Sequence, residues 1–187
     1  FTQERDIFMY PVKNIKYLNL PPIPKEITDG IILDEKDLDE AFGKRGYSMN
    51  TTGVDRLNEW GRENISEDIF LTYQLLTRGI DPDEYVATGI IHKDNSTLTK
   101  LLYIVEAGGD NVYTSFYSDQ EGTDLLFKTK IETGRWTILE ASQWHHTQNI
   151  EPGKLRFGIA GQIFRSGQQD IREDYSHLPP HSNYNNN

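Results

Sequence analysis

Not one cysteine occurs in these 187 residues. Disulfide frameworks and zinc–thiolate sites are therefore excluded, and the composition fits a reducing compartment. Positive charge is also in short supply. Nineteen Lys and Arg face 29 Asp and Glu, for a formal net charge of −10. With no run of basic residues, such a chain repels a phosphate backbone, which argues against general nucleic-acid binding. Long apolar stretches are missing too: none approaches the ~20 residues that a membrane-spanning helix needs. The opening residues FTQERDIFMY carry acid early and lack the apolar centre of a secretory signal. A cytoplasmic protein with no membrane partner is the expectation from these absences. Histidine is scarce, with five in all, yet two of them stand side by side at positions 145 and 146.

What is present suggests a single domain in three parts: helical and loop support over 1–67, a β core over 68–165, and a polar tail over 166–187 that ends in HSNYNNN. The Pro-rich stretch 18–27 predicts extended chain leading into a helix that starts near Pro24 or Lys25. Residues 34–46 predict a second short helix, ended by Gly43 or Gly46. Val54, Leu57 and Trp60 lie at helical spacing, with Thr52 as the expected N-cap. The stretch DIFLTYQLL (68–76) is compatible with helix or strand. Beyond it, runs at 84–92, 98–107, 111–119, 124–132, 134–142, 145–150 and 154–164 predict strands separated by turn signals. Many short strands of this kind imply an antiparallel sandwich or barrel, with the helices packed on one sheet.

Four side chains carry potential chemistry. His92 and Asp94 are two positions apart in IIHKDN. On a strand, residues at that spacing point to one face, so both can bind one ion. His145 follows on a later strand, and two imidazoles with one carboxylate form the facial triad of non-haem Fe(II) sites. Arg156 lies in GKLRFGIAG, where Leu155, Phe157 and Ile159 share one face and Arg156, Gly158 and Ala160 share the other. An Arg flanked on its own face by Gly and Ala has room to grip a carboxylate with two parallel hydrogen bonds.

In this order, the motifs resemble the Fe(II)/2-oxoglutarate-dependent oxygenases, and more closely the small prolyl-hydroxylase-like members of bacteria and phages. The stretches IIHKDN…TKLLYIVEAGGDNVYTSFYSD and RWTILEASQWHHTQNI are similar to that family's metal strand and its W-H-x-T segment. The likeness covers roughly 84–164. It implies a mainly β protein with N-terminal helices, built as a double-stranded β-helix (a jelly-roll, cupin-like barrel). It also implies Fe(II) as metal, 2-oxoglutarate as cosubstrate, and hydroxylation of a small-molecule, amino-acid-like or prolyl/peptide substrate with succinate and CO2 as coproducts. Carried over, His92, Asp94 and His145 are the iron ligands and Arg156 binds the distal carboxylate of 2-oxoglutarate. Many members have Ser or Thr two residues past the Arg; Gly158 stands there, and Tyr103 or another cavity residue is a candidate replacement. His145 matches W-H-x-T, whereas His146 has the commoner ten-residue spacing to the Arg. Whichever imidazole is not the ligand is expected to face solvent or to support the site from behind. His177 and His181, in the tail, are expected to bind nothing. A cupin-like isomerase or epimerase, or a non-catalytic jelly-roll binding module, would share the strand pattern; a first metal strand with a single His fits the former poorly.

Overall fold

Strand alternation organises the core. The computed structural model describes residues 15–43, 46–78, 91–94 and 100–163. These form strands β1 (Ile15–Tyr17), β2 (Tyr47–Asn50), β3 (Ile69–Leu76), β4 (Lys100–Ala107), β5 (Tyr113–Tyr117), β6 (Leu125–Thr129), β7 (Trp136–Leu139), β8 (Trp144–Gln148) and β9 (Arg156–Ile163). Three helices accompany them: α1 (Lys25–Thr28), α2 (Glu35–Phe42) and α3 (Asp55–Asn64). Among these residues no helix is long and apolar enough to cross a membrane. Most of the expected strand at 84–92, and the whole C-terminal tail with His177 and His181, lie outside the described residues.

All strand pairs are antiparallel, in a six-stranded sheet ordered β1-β7-β4-β9-β3-β2 and a three-stranded sheet ordered β6-β5-β8. The chain crosses repeatedly between the sheets: β4 lies in the large one, β5 and β6 in the small one, β7 returns, β8 crosses and β9 returns. This winding is the double-stranded β-helix, in a mainly β chain with helices at its N-terminal side.

Each face of the large sheet has its own partner. Leu71, Tyr73 and Leu75 of β3, Leu101 and Tyr103 of β4, Trp136 and Ile138 of β7, and Phe157 and Ile159 of β9 join a core with Ile27, Ala41, Leu57 and Trp60 of the helical layer. Leu102, Ile104 and Leu139 point the other way and meet Phe116 of the small sheet. β3 is therefore buried on both faces, with only Phe70 and Gln74 of its eight residues half-buried. A strand covered twice reads as a continuous apolar run, which is why its sequence did not separate strand from helix.

Local chemistry sets the helix ends. The Asp34 carboxylate accepts the Lys36 N–H at 3.0 Å and caps α2. Thr52 does not cap α3. Its N–H instead donates to Asn50 Oδ1 at 2.9 Å in a turn, and Val54 takes the N-cap position without a side-chain bond. Asn58 of α3 stitches the helix to the sheet. β2 reaches only as far as Tyr73 of β3, and beyond that point Asn58 accepts the Leu71 N–H at 2.7 Å and donates to the Leu71 carbonyl at 2.9 Å. Gly61 lets α3 come this close, since a Cβ there would lie 2.8 Å from Leu71 Cδ1.

Buried Asp37 ties α2 to the sheet. Its carboxylate accepts from Ser48 Oγ at 3.3 Å, Asn50 Nδ2 at 2.5 Å and Tyr73 Oη at 2.5 Å. Burial, together with this carboxylate, holds the Tyr73 phenol well above its usual range, so it remains a donor. Asp37→Ala strands three donors at once, two of them, Ser48 and Tyr73, buried. The expected loss is roughly 3 kcal/mol of stability, read as a lower urea midpoint with an unchanged slope.

Candidate metal centre and a buried arginine

The site begins with backbone pairing. His92 and His145 exchange both main-chain hydrogen bonds, at 3.0 and 2.9 Å, so residue 92 lies along β8 on the edge away from β5. Directly opposed residues project to the same face, and the two imidazoles meet with ring centroids 4.6 Å apart. The Asp94 N–H donates to the Ala141 carbonyl at 2.8 Å, which continues the alignment. Asp94 Oδ1 then lies 3.7 Å from His92 Nε2. One ligand atom from each of His92, Asp94 and His145 falls within 4.8 Å of the others.

The protonation states suit a metal. His145 Nδ1 lies 2.7 Å from the Gln143 carbonyl oxygen. A carbonyl only accepts, so Nδ1 carries the proton and Nε2 keeps its lone pair. Burial, reinforced by His92, lowers the His145 pKa to about 4, so the ring is neutral at physiological pH. For Asp94, burial works to raise the pKa, but Lys100, His145 and His92 outweigh it, and the carboxyl titrates below its ordinary value. Two imidazole donors and one carboxylate fit Fe(II) with open positions.

His146 points to the other face of β8. It is buried rather than solvent-facing, and its Nε2 lies 3.1 Å from Tyr117 Oη. Tyr117 Oη also accepts from Gln148 Nε2 at 3.3 Å, and Ser115 Oγ donates to Gln148 Oε1 at 2.8 Å. Trp144 shares that outward side, beneath the Lys93 ammonium at 4.7 Å.

Arg156 opens β9, between Leu76 of β3 and Ala107 of β4. Gly158 is opposite Ile104, and Ala160 opposite Leu102. The alternation therefore sends Arg156 to the face that looks toward the small sheet. Only 3% of the residue is exposed, and among the described residues no carboxylate pairs with it. Burial lowers its pKa to about 10, which leaves it charged at neutral pH. Gly108 makes room beside it: φ is +81°, and a Cβ there would sit 3.1 Å from Arg156 Cβ.

Tyr103 is a correction. It points to the opposite face of β4 from Leu102 and Ile104, into the helix-side core, where its ring meets Trp136 at 5.1 Å. A strand residue cannot serve both faces, so Tyr103 does not reach the interior that holds Arg156. A Cβ on Gly158 would lie 3.3 Å from Ile104 Cδ1, so a side chain there would press on that methyl. Thr114 and Thr147, a directly opposed pair, share the inward side of the small sheet with Phe116 and His145. Lys100 was missed altogether, although the alternation Lys100, Leu102, Ile104 put it on the interior face.

No family model matches this chain, and no curated protein does. Solved structures with some likeness include the α-ketoglutarate-dependent non-haem epimerase SnoN from nogalamycin biosynthesis, at 10% identity and a TM-score of 0.45, covering 86% of this chain and 82% of that one. A Pseudomonas putida prolyl-4-hydroxylase matches at 14% identity and TM-score 0.40, covering 78% of each chain. Fe(II)-HppE, bound to an alternative substrate, matches at 12% identity and TM-score 0.36; 51% of this chain is covered, and it spans 43% of that chain's length. With TM-scores below 0.5 these likenesses carry no argument about activity, which must come from this chain's own side chains.

Proposed function

We propose that this protein is an Fe(II)- and 2-oxoglutarate-dependent dioxygenase that hydroxylates a small-molecule or peptide substrate. The observation that carries the proposal is Arg156, a buried guanidinium without a counter-ion among the described residues, inside the same barrel as the His92–Asp94–His145 cluster. Burying a charge without a partner is costly, so a site of this kind is kept for an anion that arrives from outside. A dicarboxylate answers both ends. One carboxylate would take the two parallel N–H bonds that guanidinium offers, and the other end would turn toward the ion held by His92, Asp94 and His145. His92, Asp94 and His145 are the residues that would hold Fe(II). When bound, iron supplies oxygen activation coupled to oxidative decarboxylation of 2-oxoglutarate to succinate and CO2. The chain's own contribution is orientation and exclusion of water. Gln143 fixes the His145 tautomer, Arg156 sets the direction of the diacid, and Leu102, Ile104 and Phe116 keep the barrel dry.

The test is anaerobic. Fe(II) alone should leave the protein nearly colourless, and adding 2-oxoglutarate should produce the weak visible charge-transfer band of an iron-bound 2-oxo acid. A mixture that stays colourless at saturating concentrations of both would refute the assignment. Substrate-dependent succinate formation across amino acids, prolyl peptides and small metabolites then identifies what is hydroxylated.

A further inference from the structure

We infer that Lys100 is a positioning residue for this centre, holding the Asp94 carboxylate so that it offers one oxygen to the metal and not two. The inference rests on the metal-site reading above. The two Asp94 oxygens have different neighbours: Oδ1 faces His92 Nε2 at 3.7 Å, whereas Oδ2 faces Lys100 Nζ at 3.3 Å. Lys100 comes from the large sheet, opposite Leu139, and shares the interior face with Leu102 and Ile104. Its side chain is 17% exposed and that of Asp94 22%, so neither charge is bathed in water. No other carboxylate pairs with Lys100 among the described residues. A mostly buried ammonium that let go of Asp94 would lose the one counter-ion it has among the described residues, and breaking such a pair is expensive.

The consequence lies in the number of open positions. Carboxylates bind metals through one oxygen or through both. On a six-coordinate ion with two imidazoles, a one-oxygen Asp leaves three positions, and a two-oxygen Asp leaves two. A 2-oxo acid that chelates through its keto and carboxylate oxygens takes two, and molecular oxygen needs the third. Anchoring Oδ2 on the opposite sheet keeps that position free.

The experiment uses Mn(II), which loads the site without turnover. In crystals of the Mn(II)-loaded wild-type chain, Asp94 Oδ2 should remain bonded to Lys100 with only Oδ1 on the ion; in Lys100→Met both oxygens should enter the ion's shell. In solution without oxygen, Lys100→Met should bind Mn(II) and 2-oxoglutarate, but its ternary complex should lose the water that the wild type keeps at the ion's third position, read as a weaker water-proton relaxation. Lys100→Arg, which keeps an N–H donor and the charge, should keep that water. Should Lys100→Met fail to fold, the wild-type crystal and the Arg variant still decide. Mn(II) bound by both Asp94 oxygens in the wild type, or the same water-proton relaxation in all three ternary complexes, overturns the role of Lys100 while leaving the metal site standing. Absence of Mn(II) from the three ligands overturns both.

Discussion

His145→Ala is expected to weaken Fe(II) binding by about 100-fold or more, whereas His146→Ala binds iron as tightly as the unsubstituted chain. The two rings are neighbours in sequence and strangers in space. His145 stands opposite His92 with its Nε2 lone pair free, because Nδ1 is committed to the Gln143 carbonyl. His146 is turned to the far side of the small sheet and engages Tyr117. Its removal costs packing and one buried hydrogen bond, about 1–2 kcal/mol, and should show in a melt rather than in a metal titration. Since His145 is already neutral down to about pH 4, its own protonation does not limit metal uptake across the physiological range. Equilibrium titration with Co(II) or Fe(II) under argon separates the variants. Equal loss of metal in both, with folded spectra, would show that the doublet acts as one unit and that the face assignment is wrong.

That doublet also marks how far the amino-acid string could be read. Period-two alternation is a property of one strand, so Arg156 with Gly158 and Ala160, or Phe157 with Ile159, sorted correctly onto opposite faces without any knowledge of neighbours. Alternation also gives two faces but not their identity. Tyr103 reads equally well on either face, because the faces it alternates between carry similar apolar residues, and only pairing with β7 and β9 shows which side the helices cover. The Asp94–Lys100 pair was illegible for a different reason. It depends on how the segment beside β8 is placed against β4 across the barrel, a long-range distance that no local pattern contains. Thr52 shows the local version of the same limit. Its hydroxyl and N–H had a competing partner in Asn50, two residues back, and the nearer turn took them from the helix end. The fold class was legible early because many short strands with turns between them leave few ways to avoid exposed sheet edges.

Arg156→Met is expected to make the unliganded protein more stable, by about 1–3 kcal/mol, and at the same time to abolish 2-oxoglutarate binding. Both effects have one source. The guanidinium is buried on a central strand with no carboxylate to neutralise it among the described residues, and a methionine of similar length fills the space without the desolvation cost. The same uncompensated charge is what makes a dianion bind. Truncating one partner of a desolvated charge pair costs about 2–5 kcal/mol, or roughly 30- to several thousand-fold in affinity. The measurement is a pair of urea titrations, with and without Mn(II) and 2-oxoglutarate. For the wild type, 2-oxoglutarate at a hundred times its Kd should add about 2.7 kcal/mol; for Arg156→Met it should add nothing. Mn(II) alone should stabilise both proteins equally, because the metal ligands are untouched. A variant that is destabilised when empty yet still stabilised by 2-oxoglutarate would make Arg156 a structural residue and move the anion site elsewhere. The expected combination, a firmer fold with the cosubstrate lost, is what separates a charge held in reserve for a ligand from one that holds the barrel together.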